Sequence, residues 1–154
     1  MTPIARRTLL FAPLALALAA CGRGAPSPEP ARLAHAGPSE INGLIARYAR
    51  EYGVPEDLVH RVVIRESRYN PAARNGPYYG LMQIHPQTAR TMGHRGPAEE
   101  LLDPDVNLRF GVRYLRGAWL VARGNPDAAI GWYSRGYYYE AKRMGLLEET
   151  GLRG

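Results

Sequence analysis

From Ser39 onward the chain alternates between stretches with apolar residues three and four positions apart and short breaks rich in Gly, Pro, Asn and Asp. That spacing is the mark of amphipathic helices separated by turns. A first helix is predicted with Ser39 as its cap, running to about Tyr52, with Ile41, Leu44, Ile45 and Tyr48 on one side and Gly53 as its stop. Pro55 fits the first turn of a second helix, with Glu56 and Asp57 near its positive end. This helix carries Leu58, Val59, Val62 and Val63. Steps of four from Leu58 through Val62 place Glu66 at the end of the same apolar stripe. Tyr69 to Gly80 reads as loop. Pro86 opens a short helix to about Met92, which Gly93 stops. Asp103-Pro104 caps and starts a long helix to about Ala122, with Val106, Phe110, Leu115 and Leu120 among its apolar positions. After Gly124, Asn125-Pro126 repeats that start signal for a helix to Ser134 or Arg135, with Gly136 as its stop. A last helix spans Tyr137 to Leu147. No strand pair and no internal repeat stands out, so the fold is expected to be mostly α.

Before Ser39 the pattern is different. Met1 to Ala20 has Arg6-Arg7 and then an apolar stretch from Leu9, too short for a comfortable membrane span and typical of a signal peptide. It ends Leu18-Ala19-Ala20-Cys21-Gly22, which resembles a bacterial lipoprotein signal. The resemblance implies cleavage before Cys21, lipid on its thiol and an acylated amino end, a stable anchor. The alternative is a plain secretory signal with a chance cysteine. Arg6-Arg7-Thr8-Leu9-Leu10 also faintly resembles a twin-arginine signal. Gly22 to Pro38 holds Pro26, Pro28, Pro30 and Pro38 among Gly, Ser and Ala, and reads as a flexible tether. The expected division is a signal peptide at 1–20, a tether at 21–38 and a catalytic domain at 39–154.

Composition narrows the function classes. With 154 residues, 45% hydrophobic and 22% charged, the chain has enough for one core and argues against wholesale disorder. The formal charge of +6 falls to about +4 once Arg6 and Arg7 leave with the signal. Lys142 is the only lysine; the other basic residues are arginines. A mild positive charge suits an anionic polymer, and equally a solvated surface. No basic run with interleaved aromatics argues for nucleic acid. Cys21 is the single cysteine, which excludes an intramolecular disulfide. His35, His60, His85 and His94 are scattered without ligand spacing, so neither a metal nor another cofactor is expected.

The chemistry concentrates around Glu66-Ser67-Arg68-Tyr69-Asn70-Pro71 and the later Gly80-Leu81-Met82-Gln83-Ile84. A carboxylate ending an apolar stripe is hard to ionise and can donate a proton. The plain alternative is a helix-end carboxylate paired with Arg65 or Arg68. Glu66-Ser67-x-Tyr69-Asn70-Pro71, then Gly80-Leu81-Met82-Gln83-Ile84-x-Pro86-x-Thr88-Ala89, resembles the SLT domain of soluble-type lytic transglycosylases. Leu102-Asp103-Pro104-x-x-Asn107-Leu108-x-x-Gly111-x-x-Tyr114-Leu115 is similar to the family's second block. Ala128-Ala129-Ile130-Gly131-Trp132-Tyr133-Ser134-Arg135-Gly136 is similar to its third. The blocks appear in order over about residues 40–136.

The resemblance implies a lysozyme-like, α-helical domain with a groove for a glycan. It also implies cleavage of the β-1,4 bond between N-acetylmuramic acid and N-acetylglucosamine in peptidoglycan, leaving a 1,6-anhydromuramic end. Glu66 is then the catalytic acid and afterwards the base. Ser67, Asn75, Met82, Gln83 and Tyr133 are expected to bind substrate: Ser67 near the helix end, Asn75 where the family often has Ser, Met82 as an apolar wall or core residue, Gln83 through its amide. Tyr133 is expected to hydrogen-bond Glu66 or the sugar, or else to be a core aromatic beside Trp132. Tyr78 and Tyr79 are candidates for stacking on sugars. The chain departs from the family at Pro77-Tyr78-Tyr79-Gly80, at Ser134 and Arg135, and after Gly136. The expected partners are glycan strands and, through Cys21, a membrane, with the protein a monomer in the cell envelope, facing the periplasm from the outer membrane. Two other readings stay open here: a lysozyme-type muramidase, and a peptidoglycan-binding lipoprotein of little or no activity.

Overall fold

The computed structural model describes residues 38–152. The signal peptide, Cys21 and all of the tether except Pro38 lie outside the described residues. Helix α1 (Ser39–Tyr52) buries Ile41, Ile45, Tyr48 and Ala49 and ends at Gly53, whose φ of 63° is costly for any residue with a Cβ. Ser39 is not its cap. The helix already includes Ser39, and the cap position belongs to Pro38, whose carbonyl accepts the Asn42 N–H at 3.0 Å. Helix α2 (Glu56–Ser67) buries Leu58, Val59, His60, Val62 and Val63. Pro55 precedes it as the cap residue rather than lying in its first turn. No glycine follows α2. Arg68 and Tyr69 both take left-handed backbone, with φ of 51° and 63°. The Arg68 N–H closes the helix on the Val63 and Ile64 carbonyls, and the Tyr69 hydroxyl lies 2.8 Å from Nδ1 of the buried His60.

The expected loop contains a small antiparallel hairpin, β1 (Arg74–Asn75) and β2 (Tyr78–Tyr79), turning at Gly76 and Pro77. After it come α3 (Pro86–Thr91), a 3-10 helix (Ala98–Leu102), α4 (Pro104–Val121), α5 (Pro126–Arg135) and α6 (Tyr138–Met144). The Asp103 and Asn125 side chains accept from the Val106 and Ala128 N–H groups, as their sequence signals require. Helix α6 stops at Met144, three residues before the expected end, because Gly145 takes left-handed backbone.

Helix α4 is the hub, packed against α1, α3, α5, α6 and the 3-10 helix. Leu108, Val112, Leu115 and Ala118 are fully buried on it. Its two interior glycines admit close neighbours: a Cβ on Gly111 would lie 2.6 Å from the Met82 sulfur, and one on Gly117 would lie 2.6 Å from Cζ of Tyr137. Asn107 anchors the hairpin segment. Its Nδ2 donates to the carbonyls of Tyr79 (2.8 Å) and Leu101 (2.7 Å), and its Oδ1 accepts from the Met82 N–H at 2.9 Å. All three amide bonds are satisfied in a fully buried setting, where an unpaired polar group is costly. No helix among the described residues is long and apolar enough to cross a membrane.

Candidate active site

The last turn of α2 delivers Arg65 and Glu66 to the wall of a cleft of about 420 Å³. The hairpin supplies Arg74, Asn75 and Tyr78 to the same cleft, the turn after it supplies Gln83, and α5 supplies Tyr133 and Ser134. Past Tyr78, Gln83, Tyr133 and Ser134 the cleft continues into a second depression of about 230 Å³, reached by His85, Tyr114 and Gly136. Glu66 is the only carboxylate among the described residues lining either part. Its side chain keeps 23% of its exposure, so burial raises its pKa above the ordinary carboxylate range, and the Arg65 guanidinium at 3.6 Å draws it partly back.

Tyr133 stands at the floor. Its hydroxyl donates to the Met82 carbonyl at 2.7 Å, so its one proton is committed to the main chain and not to Glu66. Burial first, then the charge of Glu66, then Tyr114, push its pKa well above that of a free tyrosine. Tyr133 is therefore a neutral phenol with lone pairs still able to accept. Tyr114 packs edge-on against it at 5.4 Å and is itself pushed up to about 12 by burial, with Tyr78 adding to the effect.

Gln83 sits at a left-handed turn, φ 45°. Its Nε2 donates to the Ala73 carbonyl at 3.1 Å and the Gly80 carbonyl at 2.9 Å, which uses both amide protons. Only the amide oxygen, an acceptor, remains for a ligand. Asn75 is exposed on β1 at the cleft edge. Thus Glu66, Asn75, Gln83 and Tyr133 line one cleft.

Two expected residues do not line it. The Met82 side chain is fully buried against Gly111, so it is core and not an apolar wall of the cleft. Its main chain serves the site instead, through the carbonyl that holds Tyr133. Ser67 turns its hydroxyl back onto the Val63 carbonyl at 3.2 Å, one helical turn earlier, and contributes nothing to the cleft lining. Asp103 caps α4, Asp105 accepts from the Tyr48 hydroxyl at 2.8 Å and Asp127 pairs with Arg61, all outside the cleft. Sequence reasoning had no role for Arg74, whose guanidinium lies over the Tyr79 ring at 4.6 Å, nor for the Asn107 anchor. An exposed arginine carries no pattern of its own, whereas an Asn at an apolar helix position is a signal for a buried polar anchor. Among the described residues no group of three or more His, Cys, Asp or Glu side chains is placed to hold a metal ion.

Residues 43–144 match the family model of the transglycosylase SLT domain. The chain is 35% identical over 95 residues to peptidoglycan transglycosylase gp16 of Escherichia phage T7, covering 58% of this chain and 7% of that protein. It is 38% identical over 82 residues to membrane-bound lytic murein transglycosylase E of Buchnera aphidicola, covering 48% of this chain and 37% of the relative. Among solved structures it resembles an inactive Glu→Gln mutant of the lytic transglycosylase Slt from Pseudomonas aeruginosa, with a TM-score of 0.59 and 26% identity over 65% of this chain and 17% of that one. The 70 kDa soluble lytic transglycosylase of Escherichia coli gives the same TM-score and identity over 71% of this chain and 19% of that one. The chain thus spans well under two thirds of the length of each relative.

Proposed function

Since the chain belongs to the transglycosylase SLT family, with the lysozyme-like helical fold of its structural neighbours, we propose that it is a peptidoglycan lytic transglycosylase. It cleaves the β-1,4 bond between N-acetylmuramic acid and N-acetylglucosamine and leaves a 1,6-anhydromuramic end. The observation that carries this reading is the single desolvated carboxylate, Glu66, in a cleft with no second acid among its described residues. Hydrolysis by the usual two-carboxylate schemes needs a second acidic group; a substrate-assisted reaction does not.

The steps follow from that one group. Protonated Glu66 gives its proton to the glycosidic oxygen as the bond to the anomeric carbon breaks, and the leaving sugar departs with a free 4-hydroxyl. The acetamido oxygen of the muramic sugar bonds to the anomeric carbon and spreads its charge. Glu66, now ionised, takes the proton of the 6-hydroxyl; that oxygen attacks the anomeric carbon and the acetamido bond reopens. No water enters and Glu66 ends protonated, as it began. A raised pKa suits the first half, and the charge of Arg65 suits the ionised state between the halves. Gln83 can accept from a sugar hydroxyl or amide through its oxygen, and Tyr133 is too weak an acid to donate a proton in place of Glu66. Support also comes from the Pseudomonas relative, named as an inactive Glu→Gln mutant.

The Leu18-Ala19-Ala20-Cys21 sequence supports lipid attachment at Cys21, and Gly22 after it supports an outer-membrane anchor facing the periplasm, with the tether letting a monomeric domain reach the wall. The test is to incubate the purified protein with isolated peptidoglycan and weigh the released fragments, with Glu66→Gln alongside. Anhydro ends that disappear in the variant are the expected result. Reducing ends carrying an added water would make the protein a muramidase, and bound glycan of unchanged length would make it a binding protein.

A further inference from the structure

Beyond the cleft, the segment after α5 carries an aromatic ledge. Tyr139 is 84% exposed and Tyr138 46% exposed, unusual for large aromatic side chains standing side by side. Their rings meet edge to face, with centroids 5.4 Å apart and planes at 83°, which makes an open corner. With Trp132 and Tyr137 they line a shallow depression of about 390 Å³. The two charged residues that line it pair with each other, Arg143 Nε donating to Glu140 Oε2 at 2.9 Å, while the Arg135 guanidinium, outside the lining, stacks 3.8 Å over the Trp132 ring. What remains for a ligand is flat apolar surface edged with phenol hydroxyls, the surface that suits a neutral sugar ring with its apolar C–H face and equatorial hydroxyls.

The place of the ledge identifies its occupant. Gly136 lines both this depression and the outer part of the cleft, so the two meet at one residue. A glycan strand leaving the cleft past Gly136 arrives on the tyrosines. We propose that Tyr138 and Tyr139 form an additional saccharide subsite that holds the continuing strand outside the cleavage cleft. It rests on the glycan reading of the cleft and gives that site a preference for long strands over short fragments.

The test compares the protein with its Tyr138→Ala/Tyr139→Ala form. Each is made in a Glu66→Gln background so that bound strands stay intact, and each is titrated with peptide-free glycan strands and with a tetrasaccharide of the same sugars. Affinity for strands is expected to fall roughly tenfold, equivalent to about 1.4 kcal/mol, while affinity for the tetrasaccharide stays the same. Tyr139→Trp should retain strand affinity. Equal losses on both ligands, or none on either, overturn the subsite. Unchanged strand affinity with weaker attachment to phosphatidylethanolamine–phosphatidylglycerol vesicles also overturns it and makes the ledge a lipid contact. Cleavage assays with Glu66 restored report on the transglycosylase reading separately: absent anhydro products sink that reading while the binding comparison still decides the ledge.

Discussion

Replacing Asn107 by Asp changes one NH₂ group to oxygen and leaves shape almost untouched, yet it strikes the anchor of the whole hairpin segment. The acceptor role toward the Met82 N–H survives. The donor role toward the Tyr79 and Leu101 carbonyls, at 2.8 and 2.7 Å, does not. An ionised Asp leaves both carbonyls facing an oxygen. The Tyr79 carbonyl keeps a second donor, the Ile84 N–H at 3.1 Å, so the Leu101 carbonyl is the group deprived of its partner, and the loss is about 1–3 kcal/mol, set against a typical total of about 5–15 kcal/mol. A protonated Asp has one O–H that can donate to the Leu101 carbonyl, so most of the loss returns. Burial and the two facing carbonyls raise the pKa of this carboxyl in the folded state above its unfolded value. A group with a raised folded pKa stabilises at low pH and loses that contribution as pH rises through the folded pKa. The variant's deficit relative to the parent should therefore grow from about pH 5 to about pH 8. Urea titrations of both proteins at the two pH values read it as a shift in midpoint at constant slope. Equal midpoints for parent and variant at the higher pH would refute the assignment of Asn107 as a donor to both carbonyls.

Other outcomes follow from the same geometry. Arg65→Gln removes the charge that lowers the Glu66 pKa, so the alkaline limb of the cleavage profile should move to higher pH; an unmoved limb would mean Arg65 is screened. Because Glu66 has a raised folded pKa, its contribution to stability is lost as pH rises, and Glu66→Gln should gain thermal stability over the parent on the alkaline side while cleavage falls by about 10²–10⁴. Tyr133→Phe strips the Met82 carbonyl of its donor and should cost about 1–3 kcal/mol in chemical denaturation. Gly117→Ala gains about 1 kcal/mol of helix propensity but drives a Cβ to 2.6 Å from Cζ of Tyr137 and disturbs its hydrogen bond to the Tyr114 carbonyl, so the net change should be destabilising. Gly43→Ala on α1, with nothing within 4 Å, should instead stabilise by up to about 1 kcal/mol in the same melts.

The helices were legible where capping chemistry announces them. Asp103-Pro104 and Asn125-Pro126 each place an acceptor one residue before a proline, and both side chains make the capping bond. Glu66 was legible because a stripe of period four ends on it. The hairpin was not, since strands of two residues have no alternation to read and its support comes from Asn107, 28 residues after Tyr79. Ser39 misled because Pro38 offers its carbonyl to the first turn equally well. Met82 lies in a turn with no period to tell inside from outside, so the sequence left open whether it lines the cleft or the core, while Gln83 beside it was expected at the cleft. The partner of Tyr133 is a backbone carbonyl 51 residues away, and a carbonyl is common to every residue type.

The two left-handed residues after α2 have a consequence for anyone who would alter this protein. Left-handed backbone with a side chain costs on the order of 1–2 kcal/mol per residue, and Arg68 and Tyr69 both carry it within three positions of Glu66. A search for heat-resistant variants will be drawn to these positions, since glycine adopts that conformation freely. Glycine at 69 would also remove the phenol that meets His60, and glycine at either position gives the chain freedom to let the end of α2 wander. With Glu66 as the proposed acid, thermal resistance and catalytic aim are opposed at the residues that follow it, and the hardiest variants from such a search should cleave less well.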